Sequence, residues 1–375
     1  MTAYRAALLD WLACASAGRA QRAARVARRD GLLESVTWLG TAGHVLDFDD
    51  TYLPGIAHLS APTAPAAVVM AARLQATIGE AIGAYAAGFE AMGALTRSHR
   101  LYEGGWHPTA VCGAAGAAVA AARLLGLDEE TEATAVRLAL LQAGGLRAAF
   151  GSDGKSLQVG MAAAAGVQAA TLANGGAVIS PDMMDAPDGF AAAFGARMEV
   201  VGSAAIEENW IKPWPCCLMS HSAIEAATHI DLGAARAIEV VVHPVARRAA
   251  AYDDVTDGLQ AKFSIPYLVA FVTTCGAPEP RHFDGVEQEV REFARERVRV
   301  RTDDTLGETE AVLIADGDEV ARVAASLGSP QRAMTAEQLG AKCHLLAGDA
   351  LDGILDDLDA PAQTLLDALN ASITS

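Results

Sequence analysis

Thr109-Ala-Val-Cys-Gly-Ala-Ala-Gly-Ala-Ala-Val-Ala-Ala-Ala-Arg123 carries so little side-chain volume that a helix built from it must let neighbouring helices come close to its backbone. This stretch predicts a central helix over 108–125. Its apolar run falls short of the ~18 residues that a membrane span needs. Working outward, further Ala-rich helical patterns fall at 63–74, 81–98, 129–141 and 157–173, with few β-branched runs between them. The texture changes after Ile211. Strand patterns fall at 237–243, 297–301, 310–315 and 319–324, the last two flanking an Asp-Gly turn at Asp316 and Gly317, so strands are expected only after residue 236. Helical character returns at Thr335, which is placed to cap, with Glu337 or Gln338 supporting the first turn. The expected fold class is mainly α with an inserted α+β domain: a helical domain from 1–209 and 330–375, and an α+β domain at 210–329.

Composition limits the function. A chain of 375 residues exceeds the usual span of one core, and 52% hydrophobic residues with a mean hydropathy of +0.22 exclude a disordered chain. A net charge of −18 and a pI near 4.8 argue against nucleic acid and anionic membrane as partners, both of which want clustered Lys and Arg. The six cysteines are scattered without a Cys-x-x-Cys pair, and the opening Met-Thr-Ala-Tyr-Arg leads into no uninterrupted apolar segment. Reduced thiols and a cytoplasmic location are the expectation.

Chemistry concentrates in His44-Val-Leu-Asp-Phe-Asp-Asp-Thr-Tyr-Leu-Pro-Gly-Ile-Ala-His58. Helical spacing puts His44, Asp47 and Asp50 or Thr51 on one face, and Leu-Pro-Gly then breaks the helix and turns His58 back. A solvated helix end is the ordinary reading of an Asp-Asp pair, but the neighbouring imidazoles weigh against it. The chain has four lysines, Lys155, Lys212, Lys262 and Lys342, and the first three sit at element junctions. A lysine supplies a compact ammonium that can hold an oxyanion or move a proton. Gly104-Gly-Trp-His107-Pro puts a further imidazole just before a helix N-terminus, a place that favours anions. A cleft between the two domains is the expected place for these groups to converge.

His44-Val-Leu-Asp-Phe-Asp-Asp-Thr, Gly105-Trp-His-Pro-Thr, Asp153-Gly-Lys-Ser-Leu-Gln-Val-Gly, Lys212-Pro-Trp-Pro-Cys-Cys and Ala261-Lys-Phe-Ser-Ile-Pro-Tyr, in that order, resemble the 2-methylcitrate dehydratase (MmgE/PrpD) superfamily. The resemblance implies a helical domain, a smaller α+β lid and a homodimer. It also implies reactions on small di- or tricarboxylates without a metal or organic cofactor: dehydration of methylcitrate first, with decarboxylation of cis-aconitate and epimerisation of iminodisuccinate as alternatives. Carried over by motif, the family's site positions fall on Asp47, Thr51, His58, His107, Lys155, Lys212 and Tyr267. The helical portion before His44 is shorter than is usual for the family, and Gln158 stands where many relatives carry histidine.

The chemistry of the residues agrees with that reading. Removing a proton beside a carboxylate builds up an enediolate-like charge that Lys155 and Lys212 can stabilise. His107 and His58 suit the proton transfers, with Asp47 and Thr51 orienting substrate or imidazole; the spacing leaves open which histidine is acid and which is base. Competing readings are an Asp-x-Asp-x-Thr phosphatase of the haloacid-dehalogenase type at Asp47–Thr51, a metal site from His44, Asp47, Asp50 and His58, and a non-catalytic scaffold. Adjacent Cys216 and Cys217 lack the thiolate spacing of an iron–sulfur site.

Overall fold

A helix whose contact face is Ala and Gly can be surrounded by other helices, and Pro108–Leu124 is: every residue from Pro108 to Ala122 is buried. The computed structural model describes residues 2–198 and 202–371. Around Pro108–Leu124 pack the helices Ser60–Arg73, Ile78–Thr96, Glu129–Leu140 and Gly154–Asn174. The approach is backbone-close at glycines. A Cβ on Gly88 would collide with the Gly116 carbonyl, and one on Gly166 with the Ala114 carbonyl, so the small-residue pattern is a packing requirement. Helix starts follow their caps: Thr77 and Glu80 form a capping box, Asp128 accepts from Thr131 N–H, and Thr335 pairs with Gln338.

The described residues cluster into two units, one of 2–45, 49–198, 202–211 and 335–371, the other of Leu46–Phe48 with Lys212–Met334. In the first, the helix Ala3–Gly18 packs against Ala336–Ala347, and a buried ion pair of 2.5 Å joins Asp10 to Lys342 across that seam. The helix Leu32–His44 packs against Gly154–Asn174, bringing the end of the one beside the start of the other. This unit also contains strands, against expectation: β1 (Thr51–Tyr52) pairs antiparallel with β2 (Asn209–Trp210). Two residues joined over so long a separation leave no local alternation to detect.

The second unit holds β3 (Ile238–Val242), β4 (Val298–Thr302), β5 (Ala311–Ala315) and β6 (Asp318–Val323) in the order β4-β3-β5-β6. β3 and β4 are parallel; their connection includes the helices Ile265–Cys275 and Gln288–Arg297, both of which pack on β4. The Asp316-Gly317 hairpin has positive φ at both residues, 50° and 102°, as a two-residue turn of this hand demands. The molecule is therefore mainly helical with a small mixed sheet in its C-terminal part. No helix among the described residues is long and apolar enough to cross a membrane.

Candidate active site

The helix Leu32–His44 ends at His44, where Val45 N–H closes on the Thr41 carbonyl. The chain then leaves helical geometry, and Asp47 takes a left-handed φ of 56°. His44, Asp47 and Thr51 therefore do not share a helical face, as the spacing predicts. Asp carries its own local hydrogen-bonding side chain and tolerates the left-handed region better than most residues. The turn brings Asp49 round, placing its Oδ2 2.7 Å from His44 Nδ1 with both side chains fully enclosed. Lys155, in the first turn of Gly154–Asn174, reaches the other side of the same ring at 2.8 Å from Nε2. A carboxylate only accepts and an ammonium only donates, so His44 carries its proton on Nδ1 and is neutral.

After β1, Leu53-Pro-Gly and a left-handed Ile56 double the chain back, and Ala57 pairs with Tyr52. That return delivers His58, whose backbone N–H donates to Thr109 Oγ1 at 3.0 Å. Its Nδ1 lies 2.6 Å from the Asp50 carbonyl, 3.4 Å from Thr51 Oγ1 and 3.6 Å from Asp49 Oδ2. His107 is the residue before the helix Pro108–Leu124, and Gln158 Nε2 lies 2.7 Å from its Nδ1. The three imidazoles sit together, with His44 centred 4.7 Å from His58 and 5.7 Å from His107. Phe150 stands edge-on to His107, and the Lys155 ammonium lies over the same Phe150 ring. Thus the helical unit gathers His58, His107, Lys155 and Thr51, and adds His44 and Asp49 to them.

Asp50 turns away from the imidazoles. Its carboxylate accepts from Ser60 Oγ at 2.5 Å and Asn209 Nδ2 at 2.9 Å, and Ser60 Oγ is in turn 2.6 Å from the Tyr85 hydroxyl. Burial pushes the Asp50 carboxyl up to about 7; the Ser60 hydrogen bond opposes this, and the nearby negative charge of Asp49 adds to it.

Asp47 belongs to the other unit. Its backbone carbonyl accepts from Lys212 Nζ at 2.9 Å and its carboxylate is 3.3 Å from Lys262 Nζ, all three side chains being buried. Lys262 thus meets the Asp47 carboxylate and Lys212 its main-chain carbonyl, which places two ammonium groups beside one aspartate. Lys262 was visible in the sequence as a junction lysine; its partner was not. Tyr267 is buried in the helix Ile265–Cys275, and its hydroxyl accepts from Glu287 N–H at 3.0 Å, so it is tied to Glu287 rather than to Asp47.

These partnerships decide between the competing chemistries. Donor atoms of His44, Asp49 and His58 lie within 4.8 Å of one another, so Asp49 occupies the place that spacing gave to Asp47 and Asp50 in a metal set. The Nδ1 atoms of both histidines donate to oxygen, and an ammonium touches His44; this is a proton-ordered network and a poor cation cage. Asp47-Phe-Asp-Asp-Thr51 runs from a helix into an antiparallel two-residue strand, not from the parallel strand that the phosphatase reading needs.

Comparison with known proteins agrees with the motifs. The chain is similar to the cis-aconitate decarboxylases of Homo sapiens, 29% identical over 208 residues, and of Mus musculus, 28% identical over 208 residues. The matched stretch takes in 51% of this chain but only 43% and 42% of those relatives. Relatives at this identity and coverage do not fix a reaction. The model of the MmgE/PrpD N-terminal domain matches residues 32–200 and that of the MmgE/PrpD C-terminal domain residues 214–360. Both members of the domain pair are present, in order and over most of the sequence, and the chain belongs to the MmgE/PrpD family.

Proposed function

We propose that this protein is a cofactor-independent lyase for a small di- or tricarboxylate, eliminating water by acid–base chemistry at a carbon beside a carboxylate. The observation that carries the reading is the packing of His58 and His107 against His44, whose Nε2 meets the buried Lys155 ammonium. In an elimination, one group takes the carbon-bound proton, the C–O bond breaks, and a second group protonates the departing oxygen to give water. Positioned histidines are suited to both transfers near neutral pH, each worth ~10²–10⁴-fold. Lys155 is proposed to bind carboxylate oxygen where charge accumulates in the transition state. Lys212, Thr51 and Tyr267 are proposed as further substrate-binding groups on the strength of the family motifs, and Asp47 as the residue that orients Lys212 and Lys262.

Decarboxylation is the second reading, favoured by the names of the two relatives. There the C–C bond to a carboxylate breaks, carbon dioxide leaves, and one histidine returns a proton to carbon. Incubating the purified protein with 2-methylcitrate, citrate, cis-aconitate and amino- or imino-dicarboxylates in heavy water separates these readings. An unsaturated product with loss of water supports the first, and carbon dioxide release with deuterium on carbon the second. No product and no deuterium exchange from any of them would remove both.

A further inference from the structure

We propose that Gln158 is a positioning residue that holds His107 with its ring proton on Nε2, making His107 the proton donor of the site and His58 the proton acceptor; the division of roles rests on the lyase reading above. Gln158 lies one turn beyond Lys155 on the helix Gly154–Asn174. Its amide has one orientation, because Leu146 N–H, which can only donate, faces Oε1 at 3.0 Å. The Nε2 amide group therefore points at His107 Nδ1, 2.7 Å away, and it too can only donate. Nδ1 must present its lone pair, and the proton of a neutral His107 ring sits on Nε2.

The local backbone is built to keep this arrangement. His107 N–H donates to the Gly145 carbonyl and Arg147 N–H to the Gly105 carbonyl, both at 3.0 Å, so the 145–147 segment, bridged to Trp106 at Leu146, holds both the ring and the amide that reads it. Gly145 has φ 121°, and a Cβ there would strike Ala110 and lie 3.3 Å from Gln158 Oε1. Only glycine lets the chain pass at that distance.

His58 is set the opposite way. The Asp50 carbonyl, an acceptor only, lies 2.6 Å from Nδ1, which fixes the proton there and leaves Nε2 with the lone pair. His44 uses Nδ1 on Asp49 and Nε2 on Lys155. Of the three rings, one is prepared to give a proton from Nε2, one to take a proton at Nε2, and one fixes the lysine. In the elimination, His58 Nε2 takes the carbon-bound proton as the C–O bond breaks, and the His107 Nε2 proton leaves with the oxygen as water.

Long-range proton–nitrogen NMR of the full chain with nitrogen-15 histidine reads the tautomer without any substrate, the His107 signals being assigned by their loss in His107→Asn. The wild-type protein is expected to show the Nε2–H form at His107. In Gln158→Glu a carboxylate replaces the amide donor, and the proton of the neutral ring should move to Nδ1; Gln158→Leu should give a mixture. With a turned-over substrate, Gln158→Glu should lower kcat about 100-fold with KM little changed, the size of one lost acid. An Nδ1–H ring in the wild-type protein, an unchanged His107 spectrum in both variants, or an undiminished kcat in Gln158→Glu would overturn the proposal. A protein inert to every polycarboxylate ends the lyase reading, while the spectrum still decides what Gln158 does to His107.

Discussion

Two buried lysines of the helical unit meet buried carboxylates in different ways. At the seam between Ala3–Gly18 and Ala336–Ala347, Lys342 touches Asp10 directly at 2.5 Å. In the imidazole cluster the neutral ring of His44 stands between Lys155 and Asp49. Inserting a ring widens the charge separation to roughly 8 Å and weakens the attraction about threefold, since Coulomb energy falls as the inverse of distance. Lys342 is cancelled at contact. Lys155 is fixed in direction by a hydrogen bond to an uncharged ring. Contact with a carboxylate therefore marks the lysine that holds chain ends together, and an imidazole spacer marks the one suited to an anionic ligand.

The largest way to test that contrast is to remove Lys342. Lys342→Ala leaves the Asp10 carboxylate buried without its cation, and urea denaturation should show a loss of about 3–5 kcal/mol. Burial alone would lower the Lys342 pKa, but the Asp10 charge, the nearby Cys14 and the hydrogen bond to Asp10 together outweigh it and hold it above the usual value. Replacing both partners, as in Asp10→Leu with Lys342→Met, should recover most of the loss. A single variant as stable as the wild type would remove the distinction between the two lysines.

Asp50 extends the contrast to a carboxylate held by a hydroxyl and an amide. Burial holds its folded pKa up at about 7, above the ordinary carboxyl value of 3.8. Below pH 4 it is protonated in the folded and unfolded chain alike, and its burial costs nothing. Between pH 4 and 7 the unfolded chain ionises it while the folded chain holds the proton, so stability falls by up to about 4 kcal/mol over that window and levels off above pH 7. Asp50→Asn should flatten this dependence in melting experiments between pH 4 and 8, with its largest advantage over the wild type at the alkaline end. An identical slope in both proteins would mean that Asp50 ionises freely.

At Lys155 the expected change is in turnover. Lys155→Met should lower kcat/KM about 10²–10³-fold on a substrate identified by the polycarboxylate panel, the usual cost of removing one donor to developing negative charge. His44 Nε2 loses one hydrogen bond, so the thermal midpoint should move by only the equivalent of ~1 kcal/mol. A large stability loss with turnover intact would put Lys155 in the same class as Lys342.

How far the sequence discloses this contrast depends on the range of each interaction. The Ala and Gly run of 109–123 announces its central position because small volume is a local property, and the Asp316-Gly317 hairpin and the sheet strands are legible for the same reason. The pairing of Thr51 with Trp210 and the contact of Lys262 with Asp47 join residues far apart in sequence that carry no local periodicity. The spacing argument fails at Asp47 because it assumes that the helix continues, whereas the chain turns left-handed there. One signal for Lys342 was present: Asp10 interrupts Ala7-Leu-Leu-Asp-Trp-Leu-Ala13, and a lone charge in so apolar a run asks for a buried partner.

The smallest effect tests whether the seam can be weakened without disturbing the imidazoles. Thr335 starts the helix that carries Lys342: its hydroxyl accepts from Gln338 N–H at 3.2 Å, and Gln338 Oε1 accepts from Thr335 N–H at 2.9 Å. Thr335→Ala removes one half of this reciprocal cap and should cost about 1 kcal/mol in denaturant unfolding. Because the cap is exposed and acts on the first turn only, the variant should keep the wild-type kcat/KM. The histidine nitrogen spectrum should be unchanged as well, since no imidazole of the cluster touches this helix start. Matching activity at reduced stability would show that the seam supports the fold alone, whereas a parallel fall in turnover would show that the chain-end helices also set the geometry of the imidazole cluster.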